Sequence, residues 1–336
     1  MPPQRPWDAD RVRSVSAAYW EACALHAAVQ TGLTAALAQG PASGQELRQR
    51  LNLDQRGLDI LLRALLVLDL LRLEGGLYHL NPQAAPSLTP GLSTDMSHAI
   101  LHMADMVKDW SQLAQCVRTG RPVEHPAHAG PGPNPERQHF YRAMRDIARQ
   151  QSRGLAGRLG LQAGMRLLDM GGGPGVYALT FSQEVPGLKA TVYDLPGAET
   201  YFREEAAHYP GVEVAFLQGD YLENPALAGG PYDVVWLSQI LHGEGPGACQ
   251  AMLDKAAAAL TPGGQVLVQE FVVQVPGHPF AGLFGLNMLV NTGEGWAYTL
   301  EELTDMLARA GLERIEYLGA TKEGGPAGIL RGWRTA

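Results

Sequence analysis

The chain has few cysteines and no long hydrophobic run, and each of these shortages excludes a class of protein. The three cysteines, Cys23, Cys116 and Cys249, lie far apart with no C-x-x-C spacing, so we expect a reducing compartment and no structural zinc site. No uncharged apolar stretch has the ~18 residues of a membrane-spanning helix. The first residues also lack the apolar run of a signal peptide, and we therefore expect a cytoplasmic protein.

Basic residues are outnumbered by acidic ones. Lys and Arg total 26 against 34 Asp and Glu, which gives a formal net charge of −8. This balance argues against non-specific binding to nucleic acids or to an anionic membrane surface. The 336 residues, of which 46% are hydrophobic and 18% charged, are otherwise typical of a globular enzyme of about two domains.

The first part of the chain has a mainly helical pattern. Residues 11–38 are rich in alanine and predict helix, and residues 43–51 open on a capping-box pattern that predicts a short helix. The leucines of residues 58–73 predict a helix that is apolar nearly all round and therefore buried. Residues 74–81 predict a small hairpin, and this order of elements is a winged-helix pattern.

A winged helix could bind DNA, which gives one alternative function. A recognition helix should present Arg and Lys to the phosphates, but residues 58–73 contain only Arg63 and Arg72 among many leucines. Such an apolar surface is better suited to a subunit interface. A DNA-binding regulator is therefore the weakest alternative.

A glycine-rich turn is the most informative feature that the sequence does contain. Residues 167–168 predict a short strand that ends at Asp169, and residues 176–183 predict a helix. Between them lie glycines with the spacing D-x-G-x-G-x-G, namely Gly171, Gly172, Gly173 and Gly175. A dinucleotide-binding fingerprint would need glycine where Val176 stands. The spacing resembles motif I of S-adenosylmethionine (SAM) methyltransferases, whose ligand has an amino-acid end and no phosphate.

Further acids follow the next predicted strands. Residues 189–193 predict a strand that ends at Asp194, and residues 212–218 predict one that ends at Gly219-Asp220-Tyr221. Two more strands are predicted at 232–237 and 265–271. Strands alternating with helices indicate an α/β fold with a doubly wound, mostly parallel sheet, whose ligands bind beyond the carboxyl ends of the strands. There Asp194 could accept both ribose hydroxyls, and Asp220 could meet the adenine amine beside the Tyr221 ring.

The ordered set of motifs resembles the two-domain, SAM-dependent O-methyltransferases of the plant caffeic-acid and bacterial secondary-metabolite type. The resemblance extends from about residue 15 to residue 325, and its motifs are Asp169–Gly175, Tyr193–Pro196, Gly219–Asp220, Leu237–His242 and Thr261–Gly264. It implies a Rossmann-like class I SAM-binding fold and a homodimer formed by the N-terminal winged-helix domain. We accordingly expect a dimerisation domain at 1–94, a helical linker contributing to the acceptor pocket at 95–160, and a SAM-binding catalytic domain at 161–336.

The resemblance also implies which residues bind the cofactor, SAM. Ser238 occupies a position that the plant enzymes often fill with lysine. The full set of expected cofactor-binding residues is Asp169, Gly171, Gly173, Asp194, Leu195, Gly219, Asp220, Tyr221 and Ser238.

His242 is implied to be the general base. A phenol is a poor nucleophile while it is protonated, and an imidazole can take its proton as attack proceeds. Glu270, at the end of the fifth predicted strand, matches an acid that could orient the imidazole, and Glu294 lies near a second such acid in a loop of different length. Where the family commonly has His-Asp-Trp, this chain has His242-Gly-Glu-Gly, which leaves open whether Glu244 replaces the aspartate.

The acceptor is expected to be a flat aromatic or quinol-like small molecule that is methylated on a hydroxyl. Methionines and aromatic rings suit such a ligand, and the expected acceptor-binding residues are His139, Phe140, Met144, Asn287, Met288 and Asn291, with Tyr141 beside them. Methylation of carbon or nitrogen is an alternative, as is non-methylating chemistry, because some family members perform decarboxylation or hydroxylation. The sequence does not identify the acceptor.

Several histidines raise the alternative of a metal site. His98 and His102 are four residues apart with Asp105 next along, and His125 and His128 follow in a loop. The small metal-dependent methyltransferases lack this N-terminal domain, and no acid cluster marks a magnesium site. We therefore expect no metal, and the role of His98 and His102 stays open.

Overall fold

The structure is a computed structural model that describes residues 6–124, 135–274, 278–322 and 325–335. It divides into two compact units, Met1–Met106 and Val107–Ala336. Within the described ranges, every helix is too short or too polar to cross a membrane.

The N-terminal unit consists of helices followed by a hairpin. Its elements are α1 (Ala9–Ala17), α2 (Tyr19–Gln30), α3 (Leu33–Ala38), α4 (Gly44–Leu51), α5 (Gln55–Val67), β1 (Leu71–Glu74), β2 (Leu77–Leu80) and α6 (Ala85–Leu88), and α7 (Ser97–Trp110) runs into the second unit. The predicted capping box is confirmed, because Ser43 N donates to Glu46 Oε2 at 2.7 Å and Ser43 Oγ accepts from Glu46 N. The predicted helix at 11–38 is divided into three helices, the last beginning after Gly32 at φ 76°.

The prediction of one leucine-rich helix over residues 58–73, buried all round, was wrong. Helix α5 ends at Val67, and Asp69 at φ 55° turns the chain into β1. Leu58, Leu62 and Leu65 are buried in the core of this unit, while Val67 is 86% exposed. Leucines alone do not distinguish the end of a helix from a following strand, because both elements use them in a core.

The second unit contains the remaining helices. They are α8 (Leu113–Thr119), α9 (Pro135–Gln151), α10 (Leu155–Leu159), α11 (Val176–Glu184), α12 (Glu199–Ala206), α13 (Pro246–Ala258), α14 (Pro279–Asn291) and α15 (Leu300–Arg309). The helices predicted at 95–119 and 138–159 were each too long. The first is interrupted between α7 and α8, and the second between α9 and α10, where Gly154 has φ 76°.

The second unit is built on a sheet in which seven strands are described. They are β3 (Arg166–Met170), β4 (Lys189–Asp194), β5 (Val214–Gln218), β6 (Tyr232–Ser238), β7 (Leu260–Phe271), β8 (Leu312–Ala320) and β9 (Ala327–Arg334), in the order β5-β4-β3-β6-β7-β9-β8. Strands β3 to β7 are parallel, and β9 is antiparallel to β7 and β8. The predicted doubly wound, mostly parallel sheet is confirmed. The strand order reverses beside β3, where ligands bind in such folds.

Helix α9 is fixed to α12 by a buried ion pair. Arg149 Nε donates to Glu205 Oε1 at 2.9 Å and Arg149 Nη2 to Glu205 Oε2 at 2.5 Å. Glu205 is 1% exposed, and the two-bond geometry offsets part of the cost of burying both charges. Helix α9 also contacts α11, so it lies on the helices that border the glycine-rich turn.

Candidate active site

The turn after β3 combines three tightly packed glycines, Gly171, Gly172 and Gly175, with one that has free space beside it. A Cβ on Gly171 would lie 2.8 Å from Ile240 Cγ2, and one on Gly175 would lie 2.6 Å from Phe202 Cδ2. Gly173, at φ 53°, has nothing within 4 Å of its missing Cβ. The turn therefore packs closely on the protein and leaves room beside the buried Gly173, as a cradle for a ligand requires.

Asp169 lies buried beneath this turn. It is 0% exposed, Ala178 N donates to its Oδ2 at 3.3 Å, and its Oδ1 has no hydrogen-bond partner among the described residues. Burial raises the pKa of Asp169 to about 7, the Ala178 N–H opposes this rise, and the charge of Asp194 adds to it. A carboxyl whose pKa is raised in this way responds to any cation placed over the turn.

Asp194 connects the end of β4 to the same turn. Its Oδ2 accepts from Gly173 N at 2.7 Å and its Oδ1 from Leu195 N at 2.7 Å. Each carboxylate oxygen can accept a second hydrogen bond, so Asp194 could still bind two hydroxyl groups. Burial raises the pKa of Asp194, the two N–H donors lower it, and Asp220 raises it. Leu195 is 45% exposed.

The loop after β5 holds Asp220 and Tyr221. Asp220 Oδ1 accepts from Leu222 N at 2.8 Å, which closes a local turn. Lys255 on α13 donates from Nζ to the carbonyls of Tyr221 and Leu222 at 2.8 and 2.9 Å. Sequence reasoning missed Lys255, because a lysine within a helix gives no sign of the loop that it reaches.

Gly219 and Asn224 complete this loop. A Cβ on Gly219 would lie 2.2 Å from the Tyr193 hydroxyl, so a side chain there would displace Tyr193. That hydroxyl donates to Asn224 Oδ1 at 3.0 Å, and the same oxygen accepts from Asp220 N at 2.6 Å. The position of Asp220 is therefore fixed from the buried side of the sheet.

Several acids converge on Tyr221. Burial raises the pKa of this tyrosine, and the charges of Glu244, Asp194 and Asp220 raise it further. The charge of Asp194 also raises the pKa of Asp169, after burial. The carboxyl edge of the sheet is therefore negatively charged, which favours a cationic ligand.

Ser238, at the end of β6, is part of a polar network. Its Oγ donates to Gln269 Oε1 at 3.2 Å, and Gln269 Nε2 donates to Gln151 Oε1 at 2.7 Å. Tyr177 donates to the same Gln151 oxygen at 3.1 Å. The network joins β6, β7, α9 and α11. The Ser238 hydroxyl is therefore held by Gln269, within the protein.

His242 and Glu270 form the pair that the sequence predicts. His242 Nδ1 lies 2.8 Å from Glu270 Oε2, and Glu270 is 1% exposed. Glu270 Oε1 also accepts from the backbone N–H groups of Leu241 and His242 at 3.0 and 3.3 Å. The one side chain therefore fixes both the imidazole and the short 3-10 helix, Leu241–Gly243, that presents it.

Aromatic rings that the sequence reasoning missed surround His242. Its ring centroid lies 4.7 Å from that of Phe284, edge to face, and 6.1 Å from that of Phe271. Phe280 contacts both phenylalanines, at 5.0 and 5.8 Å. Phe271 ends β7, and Phe280 and Phe284 lie one turn apart on α14, so their meeting depends on tertiary structure.

Glu244 and Glu294 lie on adjoining loops. A Cβ on Gly245 would be 2.6 Å from Glu294 Oε2, and the charge of Glu294 helps to raise the pKa of Glu244, after burial. Among the described carboxylates, Glu270 is the one that bonds to the His242 ring. The structure therefore puts Glu294 beside the His242 loop and not in hydrogen-bond contact with the imidazole.

Helix α14 holds Asn287, Met288 and Asn291. Asn287 Oδ1 accepts from Trp110 Nε1 at 2.9 Å and from Asn291 Nδ2 at 3.0 Å. Met288 is buried. The two asparagines follow Phe280 and Phe284 along one face of the helix at successive turns.

Helix α9 holds His139, Phe140 and Met144. His139 and Met144 are half-buried, and Phe140 is 43% exposed. The neighbouring Tyr141 stacks on Tyr201 at 4.5 Å, and burial and the charge of Asp194 raise its pKa to about 12. This part of α9 thus lies near the Asp194 side of the crevice.

The other histidines do not assemble a metal site in the part of the chain that is described. There, no three His, Cys, Asp or Glu side chains are grouped so that they could hold a metal ion. His98 and His102 lie one turn apart on α7 and have interactions of their own. His125 and His128 lie outside the described residues.

Comparison with known proteins gives matches over most of the chain. The O-methyltransferase domain family matches residues 110–313, and the O-methyltransferase dimerisation domain family matches residues 14–89. The chain is 32% identical over 310 residues to 3-hydroxy-5-methyl-1-naphthoate 3-O-methyltransferase of Streptomyces sahachiroi, across 88% of this chain and 87% of that relative. It is 30% identical to the tetracenomycin polyketide synthesis 8-O-methyl transferase TcmO of Streptomyces glaucescens, across 90% and 91%.

The fold is similar to that of solved structures. Human N-acetylserotonin methyltransferase in complex with SAM superposes with a TM-score of 0.86 over the full length of both chains, at 24% identity. That likeness concerns the fold.

Proposed function

Because the chain belongs to the SAM-dependent O-methyltransferase family, we propose that it methylates a hydroxyl of a flat aromatic or quinol-like small molecule, with His242 as the general base. The observation that carries this proposal is the 2.8 Å contact between His242 Nδ1 and buried Glu270, at the carboxyl edge of the sheet. Ile240, two residues before His242, packs on Gly171 of the glycine turn, which supports a base close to the cofactor.

The residues at this edge fit SAM. Gly173 has free space beside it, Asp169 has an unpaired buried oxygen, and Asp194 can accept two more hydrogen bonds. We propose that Asp194 holds the ribose hydroxyls, that Asp220 and Tyr221 hold the adenine, and that Gly171 and Gly173 border the amino-acid end. Bound SAM supplies a methyl group on a positively charged sulfur, and the surrounding acids favour that charge.

The proposed base derives its tautomer from Glu270. Three backbone N–H groups, those of Leu241, His242 and Phe271, donate hydrogen bonds to the two Glu270 oxygens. A carboxylate, which can only accept, suits this set of donors. The ring therefore donates from Nδ1, and Nε2 keeps the lone pair that can accept the proton of the acceptor hydroxyl. The imidazolium formed in this step is stabilised by the adjacent carboxylate.

The acceptor is proposed to lie along one face of α14. Phe280 and Phe284 supply flat apolar surface beside His242, and Asn287 and Asn291 follow on the same face. Asn287 uses its amide oxygen toward Trp110 and Asn291, so its N–H donors are available to an oxygen of the acceptor. A hydroxylated fused ring with a second oxygen matches this arrangement, and the naphthoate acted on by one relative is of that kind.

A panel of acceptors with methyl-labelled SAM tests this function. It should contain hydroxynaphthalenes with and without a second oxygen, the matching aminonaphthalenes, and a single-ring phenol. We expect label in an aryl methyl ether, with the two-oxygen fused rings as the best substrates. Label on nitrogen or carbon would show that the enzyme methylates that atom and would contradict O-methylation. Tight SAM binding with no labelled product would favour the non-methylating chemistry.

Binding of SAM should release protons just below neutral pH. Because burial and then Asp194 raise the pKa of Asp169 to about 7, the free protein holds this carboxyl protonated below that pH. A cationic ligand over the turn lowers the pKa, so the affinity should rise with pH up to about 7 and then level off. Calorimetry at pH ~6.5 in buffers of different ionisation enthalpy measures the protons released, and Asp169→Asn should release fewer. Equal release by that variant would contradict the assignment.

We further propose that the N-terminal unit forms a homodimer, consistent with its match to a dimerisation domain. Large apolar side chains are exposed along α1 and α2, with Val15 58%, Tyr19 62% and Trp20 63% exposed. A patch of this kind marks a protein interface. Light scattering should give about twice the 36.1 kDa chain mass. Trp20→Glu should shift the protein toward monomer, whereas Gln83→Glu, at an exposed residue outside α1 and α2, should not. A wild-type monomer at micromolar concentration would contradict the proposal.

A further inference from the structure

The carbonyl groups of the loop that presents His242 accept hydrogen bonds from residues elsewhere in the chain. Cys249 Sγ donates to Leu241 O at 3.1 Å, Trp296 N donates to His242 O at 2.8 Å, and the Tyr298 hydroxyl donates to Glu244 O at 2.7 Å. Two of these donors are side chains that the proposed mechanism does not use. They contact carbonyl groups of the loop, whereas Glu270 accepts from its backbone N–H groups.

Tyr298 is connected to the strand that holds Glu270. It is 2% exposed, and its own carbonyl accepts from Val273 N at 2.9 Å. Val273 lies two residues beyond Phe271, the last residue of β7. Glu270, which bonds to the imidazole, and Tyr298, which bonds to the loop backbone, are therefore both connected to the end of β7. This shared connection fixes the position of the His242 ring relative to its loop.

Cys249 supports the same contact from α13. It is 0% exposed, and its Sγ lies 3.4 Å from the Tyr298 hydroxyl as well as 3.1 Å from Leu241 O. Burial raises the pKa of the Cys249 thiol to about 11 and also raises the pKa of Tyr298. Both groups consequently stay protonated and keep donating throughout the neutral range.

We propose that Tyr298, supported by Cys249, is a positioning residue for the His242 loop. By fixing the Glu244 carbonyl it sets where His242 Nε2 meets the acceptor hydroxyl. This inference rests on the proposed role of His242 as the base. A proton transfer depends on short, aligned contacts, so a small displacement of the loop should slow acceptors that need deprotonation and spare those that are already ionised.

The test is Tyr298→Phe, which keeps the ring and removes the donor. With a weakly acidic phenol we expect kcat to fall about 5- to 30-fold, in proportion to one lost buried hydrogen bond, and with a phenol that is ionised at the assay pH less than about twofold. The affinity for SAM should stay within about twofold, because the cofactor residues lie elsewhere. The ¹⁵N resonances of the His242 imidazole should shift in the free protein, which is a readout independent of activity.

Tyr232→Phe is the matched control. Tyr232 is also 2% exposed, and its hydroxyl also donates to a carbonyl, that of Ala228, at 2.7 Å. It lies at the start of β6, at the opposite end of the strand from His242. We expect it to lower the melting temperature to a similar extent and to leave the acceptor dependence and the His242 resonances unchanged.

Three outcomes would overturn the inference. Wild-type kcat on the weakly acidic phenol, equal losses on both phenols, or a Tyr232→Phe profile like that of Tyr298→Phe would each assign Tyr298 a merely structural role. If Tyr298→Phe does not fold, Cys249→Ser and Cys249→Ala decide: the serine keeps a donor and should retain kcat, and the alanine should lose it selectively, whereas equal activities overturn the inference. His242→Ala, assayed on the same phenols, separates the positioning role of Tyr298 from the proposed role of His242. A wild-type rate in His242→Ala would contradict the proposal that His242 is the base.

Discussion

His242→Ala should lower the rate of methyl transfer to a weakly acidic phenol by about 10²–10⁴-fold, the range expected for the loss of a general base. The affinity for SAM should change little, because His242 contacts Glu270 and a group of phenylalanines and not the glycine turn. Single-turnover rates with saturating SAM measure the first effect and calorimetry the second. His208→Ala, at an exposed histidine after α12, is the control and should behave as wild type.

The dependence on Glu270 gives this prediction a second arm. Glu270→Gln should cost less than His242→Ala, because the imidazole remains in place. If Glu270 acts through the histidine, the double variant should be no more than about threefold slower than His242→Ala alone, since residues that act as a unit are not additive. Multiplicative losses would mean that Glu270 contributes separately. An undiminished rate in His242→Ala would mean that holding the nucleophile close to the donor is sufficient.

Asp194→Ala should weaken SAM binding by about 1.5–3 kcal/mol, since it removes charged acceptors from buried hydrogen bonds. That loss corresponds to an increase in Kd of about 10- to 150-fold. The variant also removes the contact from Gly173 N, so the turn itself should loosen. Calorimetry with SAM and with its demethylated product should report similar losses, because the ribose is common to both.

Asp254→Ala is the matched control for Asp194. Asp254 lies on α13, where Gln250 Nε2 donates to it at 2.9 Å on the exposed surface, so SAM affinity should be unchanged. An unchanged Kd in Asp194→Ala would contradict the ribose assignment. NAD binding tighter than SAM binding would contradict the choice of cofactor.

The parts of the fold that were predictable depend on local patterns. Sequence patterns located the turn between β3 and α11, the acid that ends β4 and the acid that follows β5, because strand, turn and helix are consecutive in the chain. The ends of several helices could not be found in this way. Leu71 and Leu73 continue the leucine pattern of α5, and it is the positive φ of Asp69 that sends them into a strand instead.

The residues of the site could likewise be predicted only where a motif in the sequence marks them, and not where packing brings them together. The resemblance to the family implied His242 as the base and offered Glu270 and Glu294 as its possible partners, and the structure places Glu270 at the end of β7 in contact with the imidazole. Phe284 was not predicted, because it approaches His242 only through the packing of α14 on the end of β7. Tyr298 was not predicted either, since the carbonyl that it contacts belongs to a residue 54 positions earlier in the chain.

The most direct test of the central claim is one turnover of a preformed complex. Wild-type protein is mixed with methyl-labelled SAM and then with the best fused-ring phenol from the acceptor panel, and the products are identified by mass and by position of the label. We predict one aryl methyl ether formed for each demethylated SAM released, at a rate that falls by about 10²–10⁴-fold in His242→Ala. Full occupancy by SAM and acceptor without ether formation, or ether formation at the same rate in His242→Ala, would contradict it.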